Sequence, residues 1–249
     1  MTLQQFFQEN HAVALAFSGG VDSAYLLYAA KACGADIRAY YVRTPFQPQF
    51  EYADALQLAG QLEIPLIILE VDVLSEETVA KNPKNRCYYC KKRMFTEILQ
   101  AAAAEGFPLV VDGTNASDQV SDRPGMEALR ELGVRSPLRE CGLTKEEIRR
   151  LSKEAGLFTH DKPAYACLAT RIPTGTAITR QQLARTERNE AFLRELGFSD
   201  FRIRLVGDAA KLQLTQAQLP LLLRHREQIV SVLKKDYSEV LLDLEVRNA

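Results

Sequence analysis

The chain has 249 residues, 47% of them hydrophobic, with 31 basic and 32 acidic side chains and a net charge of −1. That length gives one large domain or two small ones with ample core, and the balanced charge gives no reason to expect bulk nucleic-acid binding. No run of about 18 apolar residues reads as a membrane span, the start lacks the basic and apolar regions of a secretory signal, and five cysteines, an odd number, argue against a disulfide scaffold, so a reducing cytoplasm is the expected compartment.

The apolar run Ala12 to Phe17 predicts a buried strand. It stops at Ser18-Gly19-Gly20, and Asp22 to Cys33 has helical spacing with Gly34 as its stop. Strands follow at Ile37 to Val42 and Leu66 to Val73, separated by a helix over Gln49 to Leu62. This β-α-β-α-β order predicts an α/β fold with a doubly wound parallel sheet. Ligands of such sheets bind beyond the C-terminal strand ends, where Ser18 to Ser23 lies. A polar stretch, Ser75 to Arg86, leads to Cys87-Tyr88-Tyr89-Cys90 and a helix over about Lys91 to Glu105. Leu109 to Val111 reads as a strand ending in Asp112-Gly113-Thr114-Asn115, and Ala116 to Gly125 as a polar loop. A short helix is expected over Met126 to Leu132, an extended segment over Val134 to Leu138, and a helix over Thr144 to Gly156 with a Thr144/Glu147 capping box. Phe158 to Gly175 carries few regular signals, and a loop that long is usually functional or mobile. From Thr179 the pattern is a small α+β unit: a helix to Leu196 opened by a Thr179/Gln182 capping box, strands at Phe201 to Leu205, Lys211 to Thr215 and Val240 to Leu244, and a helix over Gln218 to Leu233. The expected domains are therefore residues 1–175 and 176–249.

Ser18 to Ser23, SGGVDS, carries the clearest chemistry. Glycines let the backbone approach a ligand closely, and a helix start offers free N–H groups that suit phosphate. No Lys follows at the Walker A spacing. The stretch resembles the pyrophosphatase loop of the PP-loop enzymes, which adenylate a substrate and hold the leaving pyrophosphate. In that role Ser18, Gly19, Gly20 and Ser23 hold the β,γ-phosphates of ATP, and Asp22 helps hold Mg²⁺. Donors aimed at the growing charge on pyrophosphate are electrostatic preorganisation. Gly113, Thr114 and Asn115 end a strand at the same sheet edge and so reach the nucleotide.

Further blocks extend the resemblance: NPKNRCYYCKKRMF (Asn82 to Phe95), DGTNASD (Asp112 to Asp118), DRPG (Asp122 to Gly125), KPAYACLATRIPTG (Lys162 to Gly175) and FRIRLVGDAAKL (Phe201 to Leu212). Together with the loop they resemble the LarE family over nearly the whole chain. That resemblance implies an ATP-dependent sulfur transferase, or sulfur insertase, of nickel-pincer nucleotide cofactor biosynthesis. It implies a small-molecule nucleotide substrate, a pyridinium-3,5-biscarboxylic acid mononucleotide, whose carboxylates become thiocarboxylates. It also implies a homo-oligomer, such as a hexamer, formed through the small C-terminal unit.

Single-cysteine members of the family give up their own sulfur. Here Cys87, Cys90 and Cys167 all fall in the family's signature blocks, and three thiolates suit a 4Fe–4S cluster whose fourth iron binds sulfide. A sacrificial or persulfide cysteine and a zinc or redox site are the alternatives; His160 is the only nearby fourth zinc ligand. Cys33 and Cys141 read as packing or surface cysteines. Arg171, and Arg202 with Arg204 on one strand face, are expected to neutralise the substrate's anionic groups. Glu190, Lys91 and Lys92 receive no firm role, and Tyr88 and Tyr89 either stack on a pyridinium ring or pack. Two other functions compete. A tRNA thiolase would need a basic surface for the phosphate backbone, and a nucleotide sensor would need no intact SGGVDS or cysteine set.

Overall fold

Val13, Leu15 and their neighbours form β1 (Ala12–Ala16), the strand around which the first sheet is laid. The computed structural model describes residues 1–118 and 124–247. It divides into two compact units, one of Met1–Val79 and Lys84–Ala164, the other of Ala80–Pro83 and Tyr165–Ala249.

In the first unit the elements run α1 (Leu3–Glu9), β1, α2 (Val21–Ala32), β2 (Asp36–Arg43), α3 (Gln49–Gln61), β3 (Leu66–Glu70), α4 (Glu77–Ala80), α5 (Arg86–Ala104), β4 (Leu109–Val111), α6 (Pro124–Glu131), α7 (Pro137–Glu140) and α8 (Lys145–Glu154), with the last residue of α4 passing to the second unit. The sheet order is β3-β2-β1-β4, and every pairing is parallel. Side chains alternate between the faces of a strand, so each strand feeds two cores. Val13, Leu15, Ile37, Ala39 and Tyr41 join the core that holds Leu26, Leu27 and Leu58, while Ala14 and Tyr40 join the one that holds Phe95, Ile98 and Leu129. Helices thus cover both faces, as an all-parallel sheet requires.

In the second unit α9 (Arg180–Glu195) precedes β5 (Arg202–Val206) and β6 (Ala209–Gln213), an antiparallel pair. After α10 (Leu219–Arg224) and α11 (Arg226–Leu233), β7 (Val240–Leu242) pairs parallel to β6. Ile203, Leu212, Leu193 and Leu233 are buried. The segment 80–83 belongs here because Asn82 donates to the Pro173 carbonyl at 2.9 Å and accepts from the Gly175 amide at 2.8 Å.

The structure corrects several expectations. The helix expected from Lys91 begins at Arg86, so Cys87 and Cys90 lie inside its first two turns rather than before it. The Val134–Leu138 segment is a single parallel bridge from Arg135 to Val111, followed by α7 with Pro137 at its start, where a missing N–H costs nothing. The helix expected over Gln218 to Leu233 is two helices, because the backbone of His225 leaves helical geometry. Phe158 to Gly175 holds two 3₁₀ turns, Phe158–Asp161 and Leu168–Arg171. Helix α1, with a Thr2/Gln5 capping box, was not foreseen. Both foreseen capping boxes form. Of the polar loop from Ala116 to Gly125, residues 119–123 lie outside the described residues, and with them Asp122 and Arg123 of the DRPG block.

Candidate active site

β1 and α2 are joined by the Ser18–Gly20 turn. Gly19 has a φ of +70°, and a Cβ there would stand 3.2 Å from the Glu51 carbonyl oxygen and 3.3 Å from the Ala55 Cβ. Only glycine takes that conformation at no steric cost in so tight a space. The turn is tied internally: Ser23 Oγ accepts from the Ser18 amide at 3.3 Å, donates to the Gly20 carbonyl at 3.1 Å and lies 3.1 Å from Ser18 Oγ. Gly20 caps α2 with no side chain, which leaves the helix's first N–H groups to a ligand. Lys162 braces the loop, donating to the Gly19 carbonyl at 3.2 Å and pairing with Asp54 at 2.6 Å.

The end of β4 lies directly against this helix start. A Cβ on Gly113 would sit 2.9 Å from the Ser23 amide nitrogen and 3.2 Å from its Cα. Buried Asp112 organises the next residues: it accepts from the Thr114 amide at 3.2 Å, from Thr114 Oγ1 at 2.5 Å and from Ser136 Oγ at 2.6 Å. Asn115 Oδ1 accepts from the Ser117 amide at 2.8 Å, and the Asn115 amide donates to Asp118. Gly113 thus abuts the start of α2, and Thr114 is turned back onto Asp112. Gly113→Ala should press on backbone, not on a movable side chain. We expect it to cost about 1–3 kcal/mol of stability and to weaken nucleotide binding, measured by thermal melting with and without ATP.

Asp22 occupies the first turn of α2. Its Oδ2 accepts from Lys145 Nζ at 2.6 Å. Its Oδ1 is buried and has no hydrogen-bond partner among the described residues. Burial raises the Asp22 pKa above the ordinary carboxylate value; Lys145 offsets part of that, the Asp118 carboxylate adds to it, and the Asn115 amide lies near enough to lower it. An unsatisfied carboxylate oxygen at a helix start is the donor type Mg²⁺ takes, so the residues present fit that ion.

Cys87 is exposed and Cys90 buried, one turn apart on α5. Arg86 Nη2 lies 4.0 Å from Cys87 Sγ. Tyr88 is engaged by its own chain: its hydroxyl donates to Glu131 at 2.7 Å and accepts from Lys92 at 2.9 Å, and the same ammonium sits 5.2 Å from the ring centre. Lys91 packs its stem against Gly125. Cys33 and Cys141 pack against the first core, and burial raises both thiol pKa values.

In the second unit, Cys167 heads the Leu168–Arg171 turn, and its carbonyl accepts from the Thr170 amide at 3.0 Å and from Thr170 Oγ1 at 2.8 Å. Arg171 differs from expectation. It is almost wholly buried, and its guanidinium is committed to Glu190 at 2.7 and 3.2 Å and to the Ala166 carbonyl at 3.0 Å. Glu190, equally buried, also accepts from Tyr165 Oη at 2.5 Å and from the Ile203 amide at 3.1 Å. Burial, followed by the Glu190 charge, raises the Tyr165 pKa. One carboxylate thus ties the residues on both sides of Cys167 to the strand that carries Arg202 and Arg204. Breaking such a buried pair would strand a charge, so Arg171 holds the loop and is not available to an anion.

Arg202 and Arg204 are available. Both are half-buried on β5, on one strand face. Arg204 Nε is buried with no hydrogen-bond partner among the described residues. Burial, then the neighbouring Arg247, Arg171 and Arg204 guanidiniums, lowers the Arg202 pKa. Crowded guanidiniums with an unmet donor are the chemistry that suits an anion.

Among the described residues, no group of three or more His, Cys, Asp or Glu side chains is arranged to hold a metal ion. Cys87 and Cys90 belong to the first unit and Cys167 to the second. No helix among the described residues is long and apolar enough to cross a membrane.

No family model matches the chain. It is 36% identical to an uncharacterized protein of Synechocystis sp. over 87% of its own length and 81% of that protein's. It is 32% identical to the pyridinium-3,5-bisthiocarboxylic acid mononucleotide synthase of Lactiplantibacillus plantarum, over 88% of this chain and 80% of the synthase. Similarity at 27% identity extends to the tRNA-specific 2-thiouridylase MnmA of Clostridium perfringens, over 60% of this chain and 52% of that enzyme.

Proposed function

The chain belongs to the LarE family of PP-loop sulfur transferases, and from that premise we propose that it converts the carboxylates of a pyridinium-3,5-biscarboxylic acid mononucleotide to thiocarboxylates. The observation that carries the first step is the Ser18–Ser23 turn at the open start of α2, with a buried, unsatisfied Asp22 oxygen beside it. A carboxylate is a poor electrophile because its leaving group is oxide. Attack of a carboxylate oxygen on the α-phosphorus of ATP gives an acyl-adenylate and pyrophosphate. Ser18, Gly19, Gly20 and Ser23 hold the departing pyrophosphate, Asp22 holds Mg²⁺, and Gly113, Thr114 and Asn115 border the nucleotide.

A sulfur nucleophile then attacks the acyl carbon and expels AMP. Cys87, Cys90 and Cys167 are the residues assigned to that chemistry. A 4Fe–4S cluster on the three thiolates would supply a transferable sulfide. Without a cluster, a cysteine thiol forms the thioester, and cleavage of its Cβ–S bond leaves the thiocarboxylate and dehydroalanine.

The second unit binds the substrate phosphate through the arginine strand β5. Exchanging Arg202 or Arg204 for Ala removes a charge-assisted bond worth roughly 1.5–3 kcal/mol, or about 10- to 100-fold in substrate affinity; unchanged titration curves in both variants would take them out of the site. Self-association through this unit is supported by Val206, Leu241, Leu242 and Leu244, all exposed on or beside its sheet. The similarity to MnmA makes tRNA the second substrate to try. The test is pyrophosphate release with the pyridinium nucleotide and, separately, with bulk tRNA. Release should depend on the small molecule, and release driven by tRNA alone would reverse the assignment.

A further inference from the structure

Lys145 was not legible as a site residue, and its placement is unusual. It is the first residue of α8, where the positive end of the helix dipole disfavours a cation. Its ammonium is nevertheless held at 2.6 Å from Asp22 Oδ2, from 123 residues away. The backbone there is fixed to the nucleotide side of the sheet: the Lys145 amide donates to Ser117 Oγ at 3.0 Å, and the Ser117 amide donates to Asn115 Oδ1 at 2.8 Å. The Thr144 cap, bonded to Glu147, sets the helix start. A rigid mount therefore carries a flexible four-carbon arm whose tip is a mobile point charge.

We propose that Lys145 is a phosphate-binding residue held in reserve: it neutralises Asp22 in the free enzyme and moves to the pyrophosphate moiety when Mg²⁺ takes Asp22. The inference rests on the reading of Ser18–Ser23 as a Mg·ATP loop. Lys145 and a divalent ion then compete for one carboxylate and cooperate on one phosphate chain. Asp22 keeps a countercharge throughout, and the lysine reaches the phosphates only after the metal has arrived. Binding of bare metal and binding of metal-pyrophosphate should thus respond in opposite directions to loss of the ammonium.

The experiment uses the full chain and two probes, Mn²⁺ followed by its paramagnetic resonance signal and inorganic pyrophosphate with Mg²⁺ followed by calorimetry. For Lys145→Met we expect bare Mn²⁺ to bind more tightly than to wild type and pyrophosphate to bind about 10- to 100-fold more weakly. Lys145→Arg should keep pyrophosphate binding within a few-fold of wild type. Lys145→Gln serves if the Met variant fails to fold by circular dichroism. Pyrophosphate affinity equal to wild type in the Met or Gln variant would overturn the proposal, as would a parallel loss of Mn²⁺ binding. A wild-type protein that binds neither ATP nor pyrophosphate overturns the loop assignment itself, which separates the two failures.

Discussion

Asp22→Ala should abolish ATP-dependent pyrophosphate release while leaving the fold intact. The carboxylate stands in the first turn of α2, beside the Ser18–Gly20 turn, and accepts from Lys145. On the proposed reading, removing it takes away the anionic ligand for Mg²⁺ and leaves phosphate charge uncompensated in the transition state. Losing one preorganised electrostatic group of this kind costs about 100- to 1,000-fold in rate. Stability should change little, because a partly exposed ion pair is worth about 1 kcal/mol or less and the carboxylate is already disfavoured by burial. Asp22→Asn should behave alike, since the amide keeps the shape but not the charge. Normal pyrophosphate release with an unchanged melting temperature would remove Asp22 from the site.

The second large effect concerns sulfur. Replacing Cys167 with Ala should eliminate thiocarboxylate formation yet spare pyrophosphate release, because the proposed adenylation step uses no thiol. Cys87→Ala and Cys90→Ala should do the same if all three thiols serve one transfer. Intact-protein mass spectrometry after reaction with ATP and substrate then reads the source of the sulfur. An unchanged mass, with product exceeding enzyme when sulfide is supplied, marks carried sulfide, and an iron and sulfide assay on protein made without oxygen should show the cluster. Loss of one H₂S at Cys167, with one product per chain, marks a sacrificial cysteine. Full sulfur transfer by Cys87→Ala or Cys90→Ala would end the three-thiol account even if Cys167 proves essential.

The parts legible in the sequence are those governed by local rules. Ala12 to Phe17 is a continuous apolar run stopped by Ser18-Gly19-Gly20, and its first five residues form an inner strand of the sheet. Thr144 and Thr179 announce their helices through side chains that bond three residues on. The same rule at Thr2 and Gln5 would have found α1. Long-range pairing was not legible. Arg171 reads as a free cation from its position four residues after Cys167, but its partner Glu190 lies 19 residues away on α9 and buries it. Lys145 looks like an ordinary helix-start residue until α8 is packed beside α2. Lys162 sits in a signature block, yet only the folded chain brings it to the Gly19 carbonyl. Charge placement across the fold depends on which elements become neighbours, and no periodicity encodes that.

The most direct test of sulfur transfer by adenylation is a paired count on wild-type protein. The enzyme is incubated with ATP, Mg²⁺, sulfide and the biscarboxylated pyridinium mononucleotide, and pyrophosphate and nucleotide mass are measured together. The account predicts one pyrophosphate for each oxygen replaced by sulfur, and neither signal without the substrate. Sulfur incorporation without pyrophosphate, or pyrophosphate release with no sulfur reaching the nucleotide in the presence of intact cysteines, would contradict it.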